Sequence, residues 1–484
     1  MSTENGLHLR HFINNSWEDA RCDDWIDDVN PSNRNDIVAR VPRASAADAQ
    51  RAAASAAAAL PAWRAMPGPA RAEHLHRWAA VIGSRAEELA QLMAREVGKP
   101  IGEARGEVGR CVVILRYYAG EAVRELGHVI PAQSAGAIQF SLREPLGVVA
   151  LVTPWNFPLA IPLWKAAPAL AFGNTVVLKP AESSSVLATM LGSTALEAGL
   201  PPGVFNVLLG EGSVVGSALV QADDVRAVSF TGSSMVGAHV ANLAASRNIR
   251  YQTEMGGKNV VIVLADADIA RAAALTAAGA MRYAGQKCTA TSRVIVARSV
   301  ESAFLKALRT QVEALPLGPV TDPASAVGPL ISSGSRDSIN AALRDADAET
   351  IFSCPVPDSS DFRDGNFLAP MVVRGGDPDG ILAQRELFGP VLAAFSADDL
   401  DHAIELANST SYGLSASLFT SDLGSALKYV SRIHAGLVRV NGDTTGVDPH
   451  APFGGMKGSS SGSREQGTAA REFYTELKTV QINP

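Results

Sequence analysis

The sequence predicts an α/β fold in which two doubly wound parallel-sheet domains carry a protruding β-hairpin. Three observations lead to this prediction. Val-rich runs alternate with helix-like segments from Gly147 onward, and the same alternation resumes after Gly257. These runs are continuously apolar, which is typical of parallel strands covered by helices on both faces. Residues 127–145 instead alternate polar with apolar side chains, which suits a hairpin outside the two sheets.

Length and composition agree with such a fold. The chain has 484 residues, of which 47% are apolar, and at roughly 150 residues per domain it is expected to form two or three domains. A core of this size needs no disulfides. The four cysteines are widely and irregularly spaced, with no pair at metal-binding spacing, which favours a reducing cytoplasm.

Charge and hydropathy argue against several classes of function. The net charge of −7 disfavours binding to nucleic acid or to an anionic membrane through overall charge. The N-terminal sequence has no apolar core of a signal peptide. No apolar run approaches the roughly 18 residues that a membrane helix needs. We therefore expect a cytoplasmic protein without nucleic-acid or membrane partners.

The chain before the hairpin is expected to be mainly helical. Helices are predicted over residues 44–80, 85–96 and 103–126. Pro61 and Pro67 are expected to break the first stretch, and Gly98 to end the second.

Two series of strands follow the hairpin. The first comprises residues 146–153, 174–180, 204–210 and 225–232, and the second comprises residues 259–264, 292–297, 391–395 and 436–441. The second series begins just after Glu254, Gly256 and Gly257, where we place the domain junction. Residues 472–482 alternate in polarity and are expected to pair with another edge strand.

Two glycine-rich turns each follow a predicted strand and precede a predicted helix. Glycine lets a phosphate approach the free N–H groups at a helix start. The residues in question are Gly212 in the first turn (210–216) and Phe230, Gly232, Ser233 and Gly237 in the second. Each pattern alone is weak, because an ordinary glycine turn has the same sequence.

Lys179 and Glu182 directly follow another predicted strand. Ligands of open α/β sheets bind at the carboxyl ends of the strands, and this spacing suits contacts with ribose hydroxyls. A charge pair in an exposed loop is an equally good interpretation of these two residues alone.

Cys288 is the best nucleophile candidate among the four cysteines. It lies in GQKCTAT (285–291), with a glycine before it and Lys287 beside it. A thiolate is a strong nucleophile when its pKa is lowered. The competing interpretation is an inert, small apolar side chain, which is what most lone cysteines are.

Three further polar residues are candidates for a catalytic site. Asn156 lies in PWNFP (154–158), and such a stiff loop suits an amide that donates to an oxyanion. Glu254 stands at the domain junction, and Glu386 lies in RELFGP (385–390). Each acid by itself is more often a solvated one.

Other catalytic classes lack their motifs. The nine histidines form no HExxH arrangement, so we predict no metal site. The sequence contains neither GxSxG nor GxxxxGK[ST], which argues against a serine α/β-hydrolase and a P-loop NTPase.

Eight short motifs occur in one order along the chain. They are PWNFP (154–158), WK (164–165), LKPAE (178–182), FTGSS (230–234), EMGGK (254–258), GQKC (285–288), ELFGP (386–390) and PFGG (452–455). Together they resemble the aldehyde dehydrogenase superfamily, and the resemblance spans nearly the whole chain. One such motif would be weak evidence, whereas eight in the family order are very specific.

The resemblance implies a subunit of three parts that forms a homodimer or homotetramer. Residues 1–126 and 146–254 would form an NAD-binding domain, and residues 255–456 a catalytic domain. The hairpin at 127–145 and the terminal segment at 470–484 would mediate assembly.

The resemblance also implies a mechanism. Cys288 attacks the aldehyde, and the Asn156 amide and the Cys288 N–H hold the oxyanion. A hydride then leaves for the nicotinamide, and Glu254 activates the water that hydrolyses the thioester. Glu465 matches a second acid that some members use in proton handling. Transfer of the acyl group to CoA is disfavoured, because members that use CoA generally lack the acid at Glu254. A binding protein without activity is the remaining alternative, and the three catalytic residues argue against it.

The implied cofactor is NAD, with NADP as an alternative. The residues that match cofactor contacts are Thr153, Pro154, Trp155, Lys165, Lys179, Glu182, Gly212, Phe230, Gly232, Ser233, Gly237, Glu386 and Phe388. The Glu182 carboxylate would accept hydrogen bonds from a ribose 2′-OH and repel a 2′-phosphate, which favours NAD. Lys165 and Lys179 would still tolerate NADP. Met255 replaces the commoner Leu, which should change packing only.

The substrate is predicted less sharply. The sequences around Cys288 and over 442–467 look like those of α-ketoglutarate semialdehyde dehydrogenases. A substrate carboxylate would need a cation, for which Arg116 and Arg282 are candidates, although a surface or structural role explains both arginines better.

Three aromatic residues are expected to line the substrate tunnel: Phe157, Trp164 and Phe453. Their rings would suit an aliphatic or aromatic aldehyde just as well, so an enzyme of broad specificity stays open.

Overall fold

We describe a computed structural model of the chain, which covers residues 7–484. Its helices are α1 (Ala46–Ala65), α2 (Gly68–Ser84), α3 (Ala86–Val97), α4 (Ile101–Glu121), α5 (Ala160–Ala171), α6 (Ser185–Glu197), α7 (Ser217–Gln221), α8 (Ser234–Ser246), α9 (Ile269–Met281), α10 (Glu301–Glu313), α11 (Ser333–Asp345), α12 (Ser360–Arg363), α13 (Ile381–Gln384), α14 (Leu400–Asn408), α15 (Leu423–Arg432) and α16 (Ala469–Tyr474). Its strands are β1 (Leu7–His8), β2 (His11–Ile13), β3 (Ser16–Glu18), β4 (Trp25–Val29), β5 (Ile37–Pro42), β6 (Val129–Ile130), β7 (Ile138–Pro145), β8 (Val148–Val152), β9 (Thr175–Lys179), β10 (Phe205–Val207), β11 (Val225–Thr231), β12 (Arg250–Glu254), β13 (Val260–Val263), β14 (Arg293–Ala297), β15 (Thr350–Ser353), β16 (Met371–Arg374), β17 (Val391–Ala397), β18 (Tyr412–Gly413), β19 (Ser415–Phe419), β20 (Leu437–Val440), β21 (Met456–Lys457), β22 (Ser460–Ser461) and β23 (Thr475–Ile482).

The first large sheet has eight strands in the order β22-β12-β11-β8-β9-β10-β2-β3. Its five central strands run parallel, and antiparallel strands close both edges. Residues 175–179 of β9 are all buried, as expected for a strand covered on both faces. Helix α5 is also buried along its whole length.

The second large sheet has seven strands in the order β15-β16-β17-β14-β13-β19-β20. All of its pairings are parallel except that of β15 with β16. The chain passes from the first sheet to the second between Glu254, the last residue of β12, and Val260, the first of β13. The predicted α/β class with two wound sheets is confirmed, whereas the exact domain limits stay a prediction.

A third sheet joins the hairpin to the C-terminus. β6 and β7 pair as an antiparallel hairpin, and β23 pairs along β7 from Thr475 opposite Pro145 to Ile482 opposite Ile138. The C-terminal segment therefore pairs with an edge strand as expected, except that its first residues belong to α16. No helix among residues 7–484 has both the length and the apolar character to cross a membrane.

Some predicted boundaries were wrong. Pro61 does not break α1, because it lies on the exposed side of the helix, where water can bind the carbonyl that loses its partner. The Trp63 indole N–H donates to the Leu170 carbonyl at 3.1 Å and anchors the last turn. α4 ends at Glu121 rather than near residue 126.

Candidate active site

A cavity of about 690 Å³ lies between loops of the two large sheets, and Cys288 forms part of its wall. Four of the five residues predicted to contact the substrate line it, namely Phe157, Trp164, Arg282 and Phe453. The rings of Trp164 and Phe453 lie 5.6 Å apart. Cys288 is partly exposed to this space, so the thiol that the sequence selects is accessible from a cavity.

The chain makes a tight turn before Cys288. Tyr283, Ala284 and Gly285 have φ angles of 55°, 51° and 66°, all in the left-handed region. A Cβ on Gly285 would lie 2.3 Å from the Gly389 carbonyl oxygen, so only glycine fits there. Two non-glycine residues held in this conformation indicate a loop fixed by its surroundings.

Burial, together with the carboxyl groups of Glu386 and Glu254, raises the pKa of the Cys288 thiol to about 12. The thiol is therefore protonated at neutral pH in the ligand-free protein. A thiolate needs a change in this environment before it can attack a carbonyl.

Asn156 lies close to the cysteine loop. Its side chain is buried, and Nδ2 donates to the Gln286 carbonyl oxygen at 3.1 Å. An amide nitrogen carries two hydrogens, so one N–H is left for a ligand oxygen beside Cys288. The role of Asn156 as an oxyanion donor stays a prediction.

Glu254 is buried at the end of β12. The Ser460 hydroxyl donates to its Oε2 at 2.6 Å, and Oε1 has no hydrogen-bond partner among residues 7–484. Burial, and then the nearby Glu465, raise the pKa of this carboxyl well above its usual range. Glu254 is thus a buried carboxyl group with a raised pKa and one oxygen without a hydrogen-bond partner among the described residues.

Glu465 is the centre of a buried cluster. Its Oε1 accepts hydrogen bonds from Lys165 Nζ and from the Ser229 hydroxyl, and its Oε2 accepts one from Trp164 Nε1 at 2.7 Å. The prediction that Lys165 contacts the cofactor is wrong. Its side chain is fully buried and points to Glu465, because α5 is buried on every side and turns Lys165 into the interior.

Lys179, Glu182 and Gly212 lie together at the carboxyl end of β9. Lys179 Nζ and the Gly212 N–H both contact Glu182 Oε1, at 3.0 and 2.7 Å. The Glu182 side chain is 34% exposed, so it can still accept hydrogen bonds from a ligand. A Cβ on Gly212 would lie 3.4 Å from Lys179 Nζ, and its absence keeps this corner open.

The second glycine-rich turn leads into α8. The Ser233 side chain caps this helix, and Met235 and Val236 in its first turn are exposed, so the helix start faces solvent. Free N–H groups at such a position suit a phosphate. A Cβ on Gly237 would lie 2.5 Å from the Met255 sulfur, which shows how Met255 packs.

Phe230 does not reach this surface. It is buried in the apolar core beneath the turn, and a Cβ on Gly232 would lie 2.5 Å from its ring. The prediction of a direct cofactor contact is therefore wrong for Phe230. Its ring supports the turn from below. Thr153 is also buried, and its N–H donates to the Lys179 carbonyl at 3.1 Å.

Glu386 lies close enough to Cys288 for its charge to raise the pKa of the thiol, and Phe388 follows two residues later in the chain. Glu386 Oε1 accepts the Gly257 N–H at 3.0 Å, and burial raises the pKa of Glu386 to about 7. Phe388 has a φ of 55°, and its ring meets the Trp155 ring edge-on at 5.8 Å. Trp155 follows Pro154, and both are partly exposed.

The charged side chains of the cavity differ in part from those predicted. Arg282 lines it, and so does Arg110 on α4. Arg116 is exposed and lies outside the lining, so its predicted substrate contact is wrong. Six residues turn a helix by about 240°, which places Arg116 on another face than Arg110. Lys287 Nζ pairs with Glu103 Oε2 at 2.9 Å on the same wall.

Comparisons with known proteins agree with this site. The model of the aldehyde dehydrogenase family matches residues 17–480. The chain belongs to the aldehyde dehydrogenase family. The predicted family and enzyme class are thereby confirmed.

Two named relatives of this aldehyde dehydrogenase are similar over their whole length. The chain is 42% identical to the alpha-ketoglutaric semialdehyde dehydrogenase of Bacillus subtilis (strain 168), over 100% of this chain and 99% of that protein. It is 40% identical to the alpha-ketoglutarate semialdehyde dehydrogenase of Haloferax volcanii, over 97% and 98%. The crystal structure of betaine aldehyde dehydrogenase from Staphylococcus aureus in complex with NAD+ superposes with a TM-score of 0.95 at 32% identity, covering 99% of this chain and 95% of that one.

Sequence reasoning missed several residues at the site of this aldehyde dehydrogenase. Ser460 lies in a Ser/Gly-rich loop that gave no sign of contact with Glu254. Gly454 has a φ of 147°, and a Cβ there would lie 2.7 Å from Glu254 Oε1. The PFGG motif contains this glycine, but the motif does not say which side chain it approaches.

Proposed function

We propose that the chain oxidises a semialdehyde that carries a carboxylate, such as α-ketoglutarate semialdehyde, to the corresponding acid with NAD as oxidant. The observation that carries this proposal is the position of Cys288 in a cavity whose wall also holds Arg110 and Arg282. The names of the two relatives, both α-ketoglutarate semialdehyde dehydrogenases, support the choice of substrate.

The first half of the reaction forms a thioester on Cys288. The Cys288 thiol first gives up its proton to solvent in the cavity. The resulting thiolate sulfur bonds to the aldehyde carbon, and the carbonyl electron pair moves to the oxygen. Asn156 Nδ2 and the Cys288 N–H donate to that oxygen, and loss of one such donor typically lowers kcat by about 10²–10³. A bound nicotinamide supplies the acceptor for the hydride that leaves this carbon.

The second half hydrolyses the thioester. Glu254 takes a proton from water through its free Oε1 while the water oxygen bonds to the acyl carbon. The carbon–sulfur bond breaks, and the sulfur leaves as a thiolate. Burial and the nearby Glu465 raise the pKa of Glu254, and a carboxylate with a raised pKa binds a proton more strongly than an ordinary glutamate does.

The residues for the cofactor fit a dinucleotide. Glu182 has an exposed carboxylate for ribose hydroxyls, and the start of α8 is open for the pyrophosphate. Glu386, whose charge acts on Cys288, and Phe388, whose ring packs on Trp155, would hold the nicotinamide end. The carboxylate at Glu182 would repel a 2′-phosphate, which favours NAD over NADP.

The charges of the cavity favour an anionic substrate. Three acids of the lining are each paired with a cation: Glu103 with Lys287, Glu107 with Lys99 and Asp443 with Arg439. The guanidinium groups of Arg110 and Arg282 are left as the excess charge on the lining. A guanidinium can bind a carboxylate through two parallel hydrogen bonds. Hydrogen bonds to charged groups contribute about 1.5–3 kcal/mol, and in an open cavity we expect the lower value.

A substrate panel tests this proposal. NADH formation is measured with α-ketoglutarate semialdehyde, succinic semialdehyde, propanal and benzaldehyde, with and without CoA. Arg282→Leu and Arg110→Leu are compared with Arg116→Leu, a matched control outside the cavity. We expect KM for the semialdehydes to rise about tenfold in the first two variants, and no change for propanal or in the control.

Three results would contradict the proposal. If none of the aldehydes yields NADH in folded protein, the activity itself is wrong. If propanal and the semialdehydes lose the same factor in the arginine variants, the carboxylate contact is wrong. An acyl-CoA product would replace hydrolysis by the CoA-dependent reaction.

We also propose that the protein is a cytoplasmic homo-oligomer assembled through the hairpin sheet. β23 is an eight-residue edge strand of this sheet, and Leu477 and Ile482 on it are exposed. Unpaired edge strands with apolar side chains readily pair with another chain. Light scattering of the wild type, and of Leu477→Glu with Ile482→Glu, measures the contribution of this edge.

A further inference from the structure

We propose that Lys99 and Glu107 are positioning residues that hold Asn156 in place to bind the oxyanion. The proposal rests on the function proposed above. It assigns a role in the chemistry to two buried charged residues that contact the loop of Asn156.

Lys99 contacts both walls of the oxyanion site. Its Nζ donates to the Asn156 carbonyl oxygen at 2.6 Å and lies 4.0 Å from the centre of the Phe157 ring. The same Nζ lies 4.5 Å from the centre of the Tyr283 ring, in the turn that precedes Cys288. One ammonium group thus joins the loop of the side-chain donor to the loop of the backbone donor.

Glu107 fixes the opposite end of the Asn156 loop. Its Oε1 accepts the N–H groups of Leu159 and Ala160 at 3.0 and 2.9 Å, where α5 begins. Its Oε2 accepts a hydrogen bond from Lys99. The carboxylate is therefore the N-terminal cap of α5, and the residues that precede this helix include Asn156.

The Asn156 side chain is held independently. It donates to the Gln286 carbonyl oxygen, and Gln286 is itself fixed because its side chain contacts the Pro329 carbonyl and the Ile331 N–H at 3.0 and 2.9 Å. Lys99 and Glu107 set the main chain, and Gln286 sets the direction of the amide. Both restraints are needed to place Nδ2 within hydrogen-bond distance of a developing oxyanion.

Burial argues against a role for this pair as ordinary surface charges in contact with water. The side chains of Lys99 and Glu107 are each 1% exposed, and an apolar pair of similar volume would often be at least as stable at such a place. The Lys99 ammonium group instead makes three directed contacts, which fix the geometry of the Asn156 loop.

The test measures hydride transfer in single turnovers with the best aldehyde of the panel. We expect Lys99→Met to slow this step about 30- to 100-fold, as for a displacement approaching 1 Å. KM for the aldehyde and Kd for NAD should change less than about threefold, because neither is bound by Lys99. Glu107→Gln should slow the step in the same direction by a smaller factor, and it serves as the second variant if Lys99→Met folds poorly.

A double-mutant cycle separates positioning from general damage. Asn156→Ala alone should cost about 10²–10³. In the Asn156→Ala background, Lys99→Met should cost no more than about threefold further, since its effect passes through Asn156. Arg105 lies on the same helix as Glu107 and forms an exposed ion pair with Glu87. Arg105→Met removes this pair and should leave the rate unchanged.

The outcomes discriminate clearly. The positioning role would be overturned if the losses of Lys99→Met and Asn156→Ala multiplied fully in the double variant. It would also be overturned if folded Lys99→Met transferred hydride within threefold of the wild-type rate, or if its KM rose by the same factor as its rate fell. Absence of wild-type hydride transfer with every aldehyde would instead overturn the proposed function.

Discussion

Gly454 offers a way to move the proposed general base without removing it. A Cβ at this position would lie 2.7 Å from Glu254 Oε1 and 2.9 Å from Arg464 Cδ. Ordinary contacts of a Cβ begin at 3.4 Å, so Gly454→Ala requires a shift of about 0.7 Å. Both neighbouring atoms belong to side chains that can turn, and the carboxylate is therefore the group expected to move.

The size of the effect follows from this displacement. A shift of about 1 Å at a reacting group can cost about 10²-fold in rate, so we expect hydrolysis of the thioester to slow about 30- to 100-fold. Thioester formation does not use Glu254 in the proposed mechanism and should be nearly unchanged. The φ of 147° adds about 1–3 kcal/mol of backbone strain for alanine, which should lower the melting temperature.

Stopped-flow measurement of NADH is the assay. Gly454→Ala should give a burst that approaches one NADH per active site, followed by slow turnover. Mass spectra of the acid-quenched enzyme should show the Cys288 thioester. Gly376→Ala is the control for strain, because Gly376 has a φ of 65° with no atom within 4 Å of an added Cβ. It should lower the melting temperature without a burst.

Turnover of Gly454→Ala within twofold of wild type, with no burst, would refute this reasoning. It would mean either that Glu254 tolerates the displacement or that it is not the base. Equal slowing in Gly376→Ala would assign the effect to strain.

Further predictions concern charge and pKa. Glu254→Gln should give a burst followed by turnover slowed about 10²–10⁴-fold; unchanged turnover would assign the base to another acid. Because burial, Glu386 and Glu254 raise the pKa of Cys288 to about 12, alkylation of Cys288 in NAD-free enzyme, followed by mass spectrometry, should speed about tenfold per pH unit from about pH 7 to 9, and a plateau in that range would contradict it. Glu182→Ser should raise the ratio of kcat/KM for NADP to that for NAD about tenfold, and an unaltered ratio counts against the ribose contact. Burial raises the pKa of Asp28 from 3.8 to about 7, so the unfolded chain holds fewer protons there and stability falls as pH rises through that window; Asp28→Asn should raise the melting temperature more at pH 7 than at pH 5, and an equal gain at both would contradict the shift.

The sequence was most informative where motif and chemistry coincide. Cys288 and Asn156 each stand in a stiff or glycine-containing loop whose residue types suit their chemistry, and the structure brings them together through Gln286. The eight Val-rich strands predicted for the two sheets are all present, because burial on both faces leaves a continuous apolar run, whereas β16 and β19 of the second sheet were missed. β12 escaped detection because Arg250–Glu254 is polar, although Gln252, Thr253 and Glu254 are buried.

The sequence could not show in which direction individual side chains point. Lys165 lies on a helix that is buried all round, so no polar face indicates where its side chain points. Arg110 and Arg116 lie on one helix of mixed polarity, and only the cavity shows that the face with Glu103 and Glu107 is the one that matters. Contacts between residues distant in sequence, such as that of Lys99 with Asn156, leave no local pattern at all.

The electrostatics of the site follow from the unequal pairing of its buried carboxyl groups. Glu465 is paired with Lys165 and two further donors, and it adds to the burial that raises the pKa of Glu254. Glu254 and Glu386 have no cation in hydrogen-bond contact among the described residues, and both raise the pKa of the thiol between them. The same arrangement thus strengthens Glu254 as a base and keeps Cys288 protonated at rest. Pairing Glu254 with a cation would reverse both effects, so Ser460→Lys should lower the pKa of the thiol and also slow hydrolysis. Alkylation rates measure the first change and burst kinetics the second. A variant in which only one of them changes would separate the two effects.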